Sequence, residues 1–131
     1  MGNGDAAGSR SPLYGRDASL VVYKLLDAQE TVSDGAWVNI RGAFSVLVVA
    51  DGVGASDGFT LFTHVPTNFG PDETAPSDAD DHQALASEVT ADGLTSFQRH
   101  ELGAYIKAAK TTATTGDPTT VLAYVTFLTP K

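Results

Sequence analysis

The densest group of side chains that could do chemistry lies in a proline-rich stretch between Pro66 and Asp81. This stretch contains Asp72 and Glu73, and it continues into the run Asp78-Ala79-Asp80-Asp81-His82. Carboxylate oxygens at this density are the ligands that Ca²⁺ prefers. The run lacks, however, the turn glycine and the terminal glutamate of an EF-hand loop. We therefore interpret it as a solvated acidic loop, with a calcium site as the alternative.

Histidine, serine and cysteine chemistry finds little support in the sequence. His64, His82 and His100 are far apart and do not have the spacing of metal ligands. A cupin-type metal enzyme would need the fold to bring them together. The serines offer no nucleophile elbow, because the G-x-S-x-G match at residues 54–58 lies in an Asp-rich loop between two predicted strands and does not open a helix. The absence of cysteine excludes disulfides and thiolate nucleophiles. We expect a protein that is not an enzyme and that holds no metal or cofactor.

The charge of the whole chain limits its partners. The 131 residues include 16 acidic and 8 basic side chains, which gives a formal net charge of −8. Such a surface repels phosphate backbones, so we expect no nucleic-acid partner. The N-terminus has no apolar run like that of a signal peptide, and the apolar stretch at 44–50 is too short to span a bilayer. We therefore expect a soluble protein with no membrane partner.

Most of the chain is typical of short β-strands separated by turns. Turn signals such as Asp34-Gly35 recur roughly every ten residues, and no long helical segment is available to cover a parallel sheet. The pattern predicts an all-β fold, an antiparallel jelly-roll-type sandwich of about eight strands, with a small barrel as the alternative. The predicted strands are Ser19–Leu26, Ala36–Ile40, Ala43–Ala50, Phe59–Val65, Gln83–Thr90, Leu94–Gln98, Glu101–Lys110 and Thr119–Leu128.

Four of these segments carry further expectations. Ala43–Ala50 is apolar at nearly every position, which predicts a strand covered on both faces. Thr119–Leu128 is dense in β-branched and aromatic residues, which predicts a strand inside a sheet. A short helix remains the alternative for Gln83–Thr90, and an amphipathic helix for Glu101–Lys110. As a strand, the latter would alternate, with Leu102, Ala104, Ile106 and Ala108 on one face and Tyr105 and Lys107 on the other.

Aromatic residues are spread over the predicted strands and allow two interpretations. Aromatic side chains on strands usually belong to the core, and this is our expectation here. The alternative is a sugar-binding face. The residues concerned are Trp37, Phe44, Phe59, Phe62, Tyr105 and Tyr124.

Residues 1–17 predict an N-terminal arm ahead of a single β-sandwich domain over 18–131. The arm is rich in Gly, Ser and Asp and has no apolar core of its own. It is either a frayed terminus or an arm that becomes ordered on a neighbouring subunit. In the second case Leu13 and Tyr14 would be its apolar anchors, and Arg10 and Arg16 its charged contacts.

Four motifs follow one another between Trp37 and Leu128. They are W-V-x-I-R-G-x-F-S-V-x-V from Trp37, G-F-T-L from Gly58, V-T-A-D-G-L from Val89, and Y-I-K-A followed by T-G-D-P-T-T-V-x-A-Y-V from Tyr105. A long Pro/Asp loop separates the second motif from the third. This order of strands and glycine turns resembles that of the small head decoration, or cement, proteins of tailed bacteriophages.

The resemblance implies a non-enzymatic jelly-roll-type sandwich that assembles as a homotrimer on the outer capsid surface of the virion, after synthesis in the host cytoplasm. It implies that the partner is the major capsid protein. The chain would bridge subunits of that protein and would bind them only after they have assembled into the lattice. Outside the arm, Arg41 and Arg99 are the candidates for capsid or subunit contacts, together with Lys107 and Lys110. The alternative function is a carbohydrate- or receptor-binding β-sandwich of a phage tail or fibre.

Overall fold

The computed structural model describes residues 16–66, 76 and 83–130. Within these ranges nine strands and one short 3₁₀ helix, Arg99–Glu101, make up the regular structure, and no helix is long and apolar enough to cross a membrane. The strands are β1 Arg16–Gln29, β2 Ser33–Asp34, β3 Val38–Asn39, β4 Ala43–Asp51, β5 Asp57–His64, β6 Gln83–Ala84, β7 Gly93–Gln98, β8 Tyr105–Ala113 and β9 Thr119–Pro130.

The strands form two antiparallel sheets, and each sheet contains strands from the beginning, middle and end of the described chain. Sheet A has the order β1-β9-β4-β7, and sheet B has the order β2-β8-β5-β6, with β3 also paired to β8. Consecutive strands such as β4 and β5, or β8 and β9, lie in different sheets. The turns between them therefore cross from one layer to the other. This arrangement confirms the antiparallel sandwich that the sequence predicts.

The core fills the space between the inner faces of the two sheets. Successive side chains of a strand point to opposite faces, so every second residue of the central strands points into this space. Truncating a large apolar side chain at such a position typically costs about 2–5 kcal/mol. Sheet A contributes Val46, Val48, Phe97, Val121, Ala123 and Val125, and sheet B contributes Phe59, Leu61, Ile106 and Ala108.

Strands β9 and β4 occupy the centre of sheet A. β9 lies between β1 and β4, which confirms the strand inside a sheet that its sequence predicts. β4 lies between β9 and β7, but the expectation that both its faces are covered is wrong. Val46 and Val48 are buried, whereas Leu47 between them is 38% exposed. The strand is apolar at nearly every position because apolar side chains stand on the outer face of sheet A as well as on its inner face.

The two segments with a helical alternative have different structures. Strand β8 begins at Tyr105, with Ile106 and Ala108 in the core and Lys107 on the other face, so the predicted alternation is confirmed there. Over Gln83–Thr90 only the two residues of β6 are a strand, followed by an isolated bridge from Val89 to Phe59. Residues 85–88, LASE, have low β propensity, which limits the pairing. Of the predicted strand Ala36–Ile40, only β3 forms.

Candidate protein-binding surface

The outer face of sheet A carries apolar side chains across all four strands. The strand register sets residues opposite one another in three rows, and these residues alternate with the core residues of the same strands. The rows therefore stand on the side away from sheet B. They are Leu94, Val49, Leu122 and Lys24; then Ser96, Leu47, Tyr124 and Val22; then Gln98, Ser45, Thr126 and Leu20.

We call the apolar members of these rows the apolar face, which comprises Leu20, Val22, Leu47, Val49, Leu94, Leu122 and Tyr124. Several of them are largely open to solvent: Leu20 is 62% exposed, Val22 48% and Leu94 68%. The outer face of an antiparallel sheet normally carries polar residues. A contiguous apolar surface on a sheet is typical of a site that binds another protein.

The apolar face carries little charge. Lys24 is the one charged residue in the three rows, and its ammonium lies 3.5 Å from the carboxylate of Asp27. Both side chains of this pair are exposed, so it adds little to stability. Covering the face would therefore remove apolar area from water without burying an unpaired charge.

A second group of polar side chains is buried inside the molecule, around Lys110 and Asp57. The ammonium nitrogen of Lys110 lies 3.1 Å from Oδ2 of Asp57, and neither side chain is exposed. Lys110 also donates hydrogen bonds to the carbonyl oxygens of Gln29 and Asp117. The pair therefore links β5 and β8 to the end of β1 and to the turn before β9.

The carboxylate of Asp57 organises the turn between β8 and β9. Its Oδ1 accepts hydrogen bonds from the hydroxyl and the N–H of Thr115, both at 2.7 Å, and its Oδ2 accepts one from the N–H of Asp117 at 3.0 Å. Burial by itself raises the pKa of Asp57, but the bonds from Thr115, Lys110 and Asp117 outweigh burial and hold this pKa well below its usual range. These partners make the buried pair a structural anchor.

A third group surrounds Lys107 on the outer face of sheet B. Its ammonium lies 4.8 Å from the ring centroid of Trp37, 5.6 Å from that of Phe62 and 3.4 Å from the carboxylate of Asp34. The Lys107 side chain is 1% exposed. Cation–π contacts and one carboxylate thus stabilise a buried charge, and Lys107 is part of the packing of sheet B.

The arginine and lysine contact candidates have different environments. Arg41 is exposed between β3 and β4, with its guanidinium 5.8 Å from the ring centroid of Tyr105, and Arg99 is exposed in the 3₁₀ helix. Neither belongs to the apolar face. The prediction that Lys107 and Lys110 are surface contacts is wrong, because β8 is buried on both faces from Tyr105 to Lys110.

The expectation that the aromatic residues lie in the core is confirmed for Phe59 and for Tyr105, both of which are buried. It is wrong for the partly exposed Trp37, Phe44, Phe62 and Tyr124. Trp37 and Phe62 pack against Lys107 on the far side of sheet B, and Tyr124 stands on the apolar face. Strand alternation is the cause, because Phe62 follows the inward-facing Leu61 and Tyr124 lies between Ala123 and Val125.

Several predicted residues lie outside the described part of the chain. They include Arg10, Leu13 and Tyr14 of the arm and the acidic residues of the 72–82 stretch with His82. Arg16 begins β1, where its backbone pairs with Pro130. Among the described residues, no group of three or more His, Asp or Glu side chains could hold a metal ion. The binding arm and the calcium loop stay predictions.

Comparison with known proteins gives one structural likeness. No family model matches the chain, and no curated protein matches it. The fold is similar to the crystal structure of SPBc2 prophage-derived protein YomS, with a TM-score of 0.60 and 18% sequence identity. The match covers 84% of this chain and 95% of that chain. At this identity the likeness establishes a shared fold.

Proposed function

We propose that this chain is a structural protein of a bacteriophage particle that binds the outer surface of the assembled head. There it stabilises the head by bridging subunits of the major capsid protein. The observation that carries the proposal is the apolar face, which extends over all four strands of sheet A, has four exposed members, and has one charged residue, Lys24, in its rows. A face of this kind, on a rigid two-sheet scaffold, suits a protein that holds other chains together.

One comparison and one feature of the fold support a phage origin and a decoration role. The solved structure that resembles the chain is described as prophage-derived. If β2 and β3 are counted as two parts of one strand, the strand order of the two sheets is that of a jelly roll with its two Greek keys. This is the arrangement implied by the resemblance to head decoration proteins.

Binding to the assembled lattice would stabilise the head by mass action. A protein that binds neighbouring capsid subunits only when they are assembled shifts the equilibrium toward the assembled shell. In our proposal the strands β4 and β7, with Leu47 and Leu94, supply apolar contact to that lattice. The acidic remainder of the surface faces solvent and limits non-specific association.

The test is co-sedimentation of the purified chain with heads that lack it, taken from the virus that encodes it. We expect saturable binding and a higher temperature of head disruption. Leu47→Lys and Leu94→Lys should each weaken binding by about tenfold or more, since each buries a charge in the contact. Val65→Lys, at an exposed apolar position after β5, is the matched control. Heads that bind none of the chain would refute the proposal.

A second candidate is a carbohydrate- or receptor-binding domain of a phage tail or fibre. The aromatic rings of Trp37 and Phe62 on the outer face of sheet B favour it, because sugars stack on such rings. Both rings contact the ammonium of Lys107, however, and this places them in the packing of the sheet. A glycan array combined with a calcium titration separates the two functions, since calcium-dependent sugar binding would favour this candidate.

A further inference from the structure

Strand β1 is one edge of sheet A, and its stretch from Ala18 to Tyr23 lacks the features that usually protect an edge. It is 14 residues long, and among the described residues it pairs only with β9. From Ala18 to Tyr23 it has no charged residue and no proline, and its register with β9 is regular until Lys24. Edge strands of stable monomers are usually short, bulged, charged or interrupted by proline. This stretch presents a regular edge to solvent.

The same stretch carries exposed apolar side chains on both of its faces. Leu20 and Val22 belong to the apolar face, whereas Val21 points to the opposite side and is still 36% exposed. A second strand beside β1 would cover part of these side chains on both faces through cross-strand contacts. The exposed apolar side chains of β1 thus fit a strand with a second neighbour.

We propose that this neighbour is β1 of a second copy of the chain. The two β1 strands pair antiparallel about a two-fold axis at Val21, so that two sheets A join into one continuous sheet. Such an interface is isologous, because the same surface of each copy contacts the other. The apolar faces of the two copies then lie side by side on one surface.

The pattern of charges on β1 favours this register. In the pairing centred on Val21, Leu20 lies opposite the partner's Val22, and Lys24 lies opposite the partner's Ala18. The remaining pair in this stretch is Ser19 with the partner's Tyr23. Apolar residues therefore meet near the axis, and no two charges of the same sign are opposed.

The two neighbouring registers that keep the same faces together place Lys24 less favourably. A centre one residue nearer the N-terminus sets Arg16 opposite the partner's Lys24, and like charges directly opposite each other destabilise strand pairing. A centre one residue nearer the C-terminus sets Leu20 opposite the partner's Lys24, so the contact between Leu20 and Val22 is lost. Of these three registers, only the one centred on Val21 avoids both outcomes.

Single cysteines test both the pairing and its register, since the natural chain has none. The variants are Leu20→Cys, Val21→Cys and Val22→Cys, each oxidised under the same mild conditions. Residues directly opposite in an antiparallel pair have Cα atoms about 4.5–5.5 Å apart, which suits a disulfide. We expect Val21→Cys to form the covalent dimer fastest. Faster crosslinking at Leu20→Cys or Val22→Cys overturns the register, and no covalent dimer at any position overturns the pairing.

Sedimentation equilibrium tests the pairing without crosslinks. We expect a reversible dimer for the natural chain, a dissociation constant raised about tenfold or more by Leu20→Lys, and no change for Val65→Lys. Circular dichroism and thermal unfolding confirm that each variant is folded. A monomer at every concentration, or the trimer that the resemblance to head decoration proteins implies, overturns the pairing. Because binding to heads is measured separately, a failed dimer with intact head binding refutes only this inference.

Discussion

At the scale of single residues, the buried pair of Asp57 and Lys110 holds three parts of the chain together inside the molecule. A buried ion pair is favourable only when hydrogen bonds satisfy its remaining donors and acceptors. Here Thr115, Asp117 and Gln29 supply those bonds. The pair therefore fixes the turn before β9, the strand at the centre of sheet A.

Removing the cation of this pair should destabilise the protein strongly. Lys110→Met keeps most of the side-chain volume but leaves the carboxylate of Asp57 without its ammonium partner. We expect the free energy of unfolding in urea to fall by about 3 kcal/mol or more. Lys24→Met, which breaks the exposed pair with Asp27, is the control and should cost less than about 1 kcal/mol. Equal losses for the two variants would contradict the anchoring role.

The same carboxylate should make stability depend on pH. The pKa of Asp57 is lower in the folded chain than in the unfolded chain. Its contribution to stability is therefore complete above the unfolded pKa of about 4, and it is lost as the pH falls toward the folded pKa. Hydrogen bonds from the hydroxyls of Thr111 and Thr112 likewise lower the pKa of Glu88, which adds to the loss.

Urea midpoints measured from a pH of about 6 down to about 2 test this dependence. We expect the midpoint to fall as the pH drops below the ordinary carboxyl range. Asp57→Asn should show a shallower fall over the same range, because its amide does not titrate. A variant with the full slope of the natural chain would assign the pH dependence to other carboxyls.

At the scale of elements, the crossings between sheets decide which strands become neighbours. The turn between β4 and β5 passes from sheet A to sheet B, and Gly52 makes it possible. Its φ is +77°, and a Cβ atom there would overlap the carbonyl oxygen of Pro118. Thr119 donates a hydrogen bond to the Gly52 carbonyl at 3.2 Å, so this crossing contacts the start of β9.

Two glycine substitutions separate backbone strain from steric overlap. Gly42 also has a positive φ, +86°, but a Cβ atom there would meet nothing within 4 Å. Gly42→Ala should therefore cost about 1–2 kcal/mol of strain. Gly52→Ala should cost clearly more in the same urea experiment, because Pro118 must also move. A smaller loss for Gly52→Ala than for Gly42→Ala would show that the crossing is not tightly packed.

At the scale of the whole molecule, net charge and the apolar face have opposite effects on association. Two copies with a formal charge of −8 each repel one another, whereas the apolar face and the edge of β1 attract. Sheet A thus has the properties of an interaction surface, while sheet B uses its outer face to pack Trp37 and Phe62 around Lys107.

Salt should therefore strengthen self-association. Raising the ionic strength from about 0.01 M to about 1 M shortens the Debye length from about 30 Å to about 3 Å, which screens the repulsion between copies. We expect the dissociation constant of the dimer to fall over this range in sedimentation equilibrium. A dissociation constant that rises with salt would indicate ion pairs across the interface and contradict an apolar contact.

The sequence by itself determined the fold class and the strands with strong patterns. The β-branched run of β9, the alternation of β8 at Ile106 and Ala108, and the glycine turns predict a two-sheet sandwich because each pattern is local. The weakly patterned segment from Gln83 to Thr90 is not specified in this way, since its pairing depends on the neighbouring Phe59.

Only the tertiary structure decided which charges are buried and which apolar residues stay exposed. Lys110 lies two and four positions after Ala108 and Ile106, so it shares their inward-facing side of β8. This spacing was the one feature of the sequence that indicated its burial. Its partner, Asp57, lies 53 positions earlier in the chain, and no local pattern joins residues so far apart. Leu47 and Val48 are similar in hydrophobicity, yet one is exposed and the other buried. A sequence specifies the periodicity of a strand, but the packing of the second sheet determines which of its faces becomes the core.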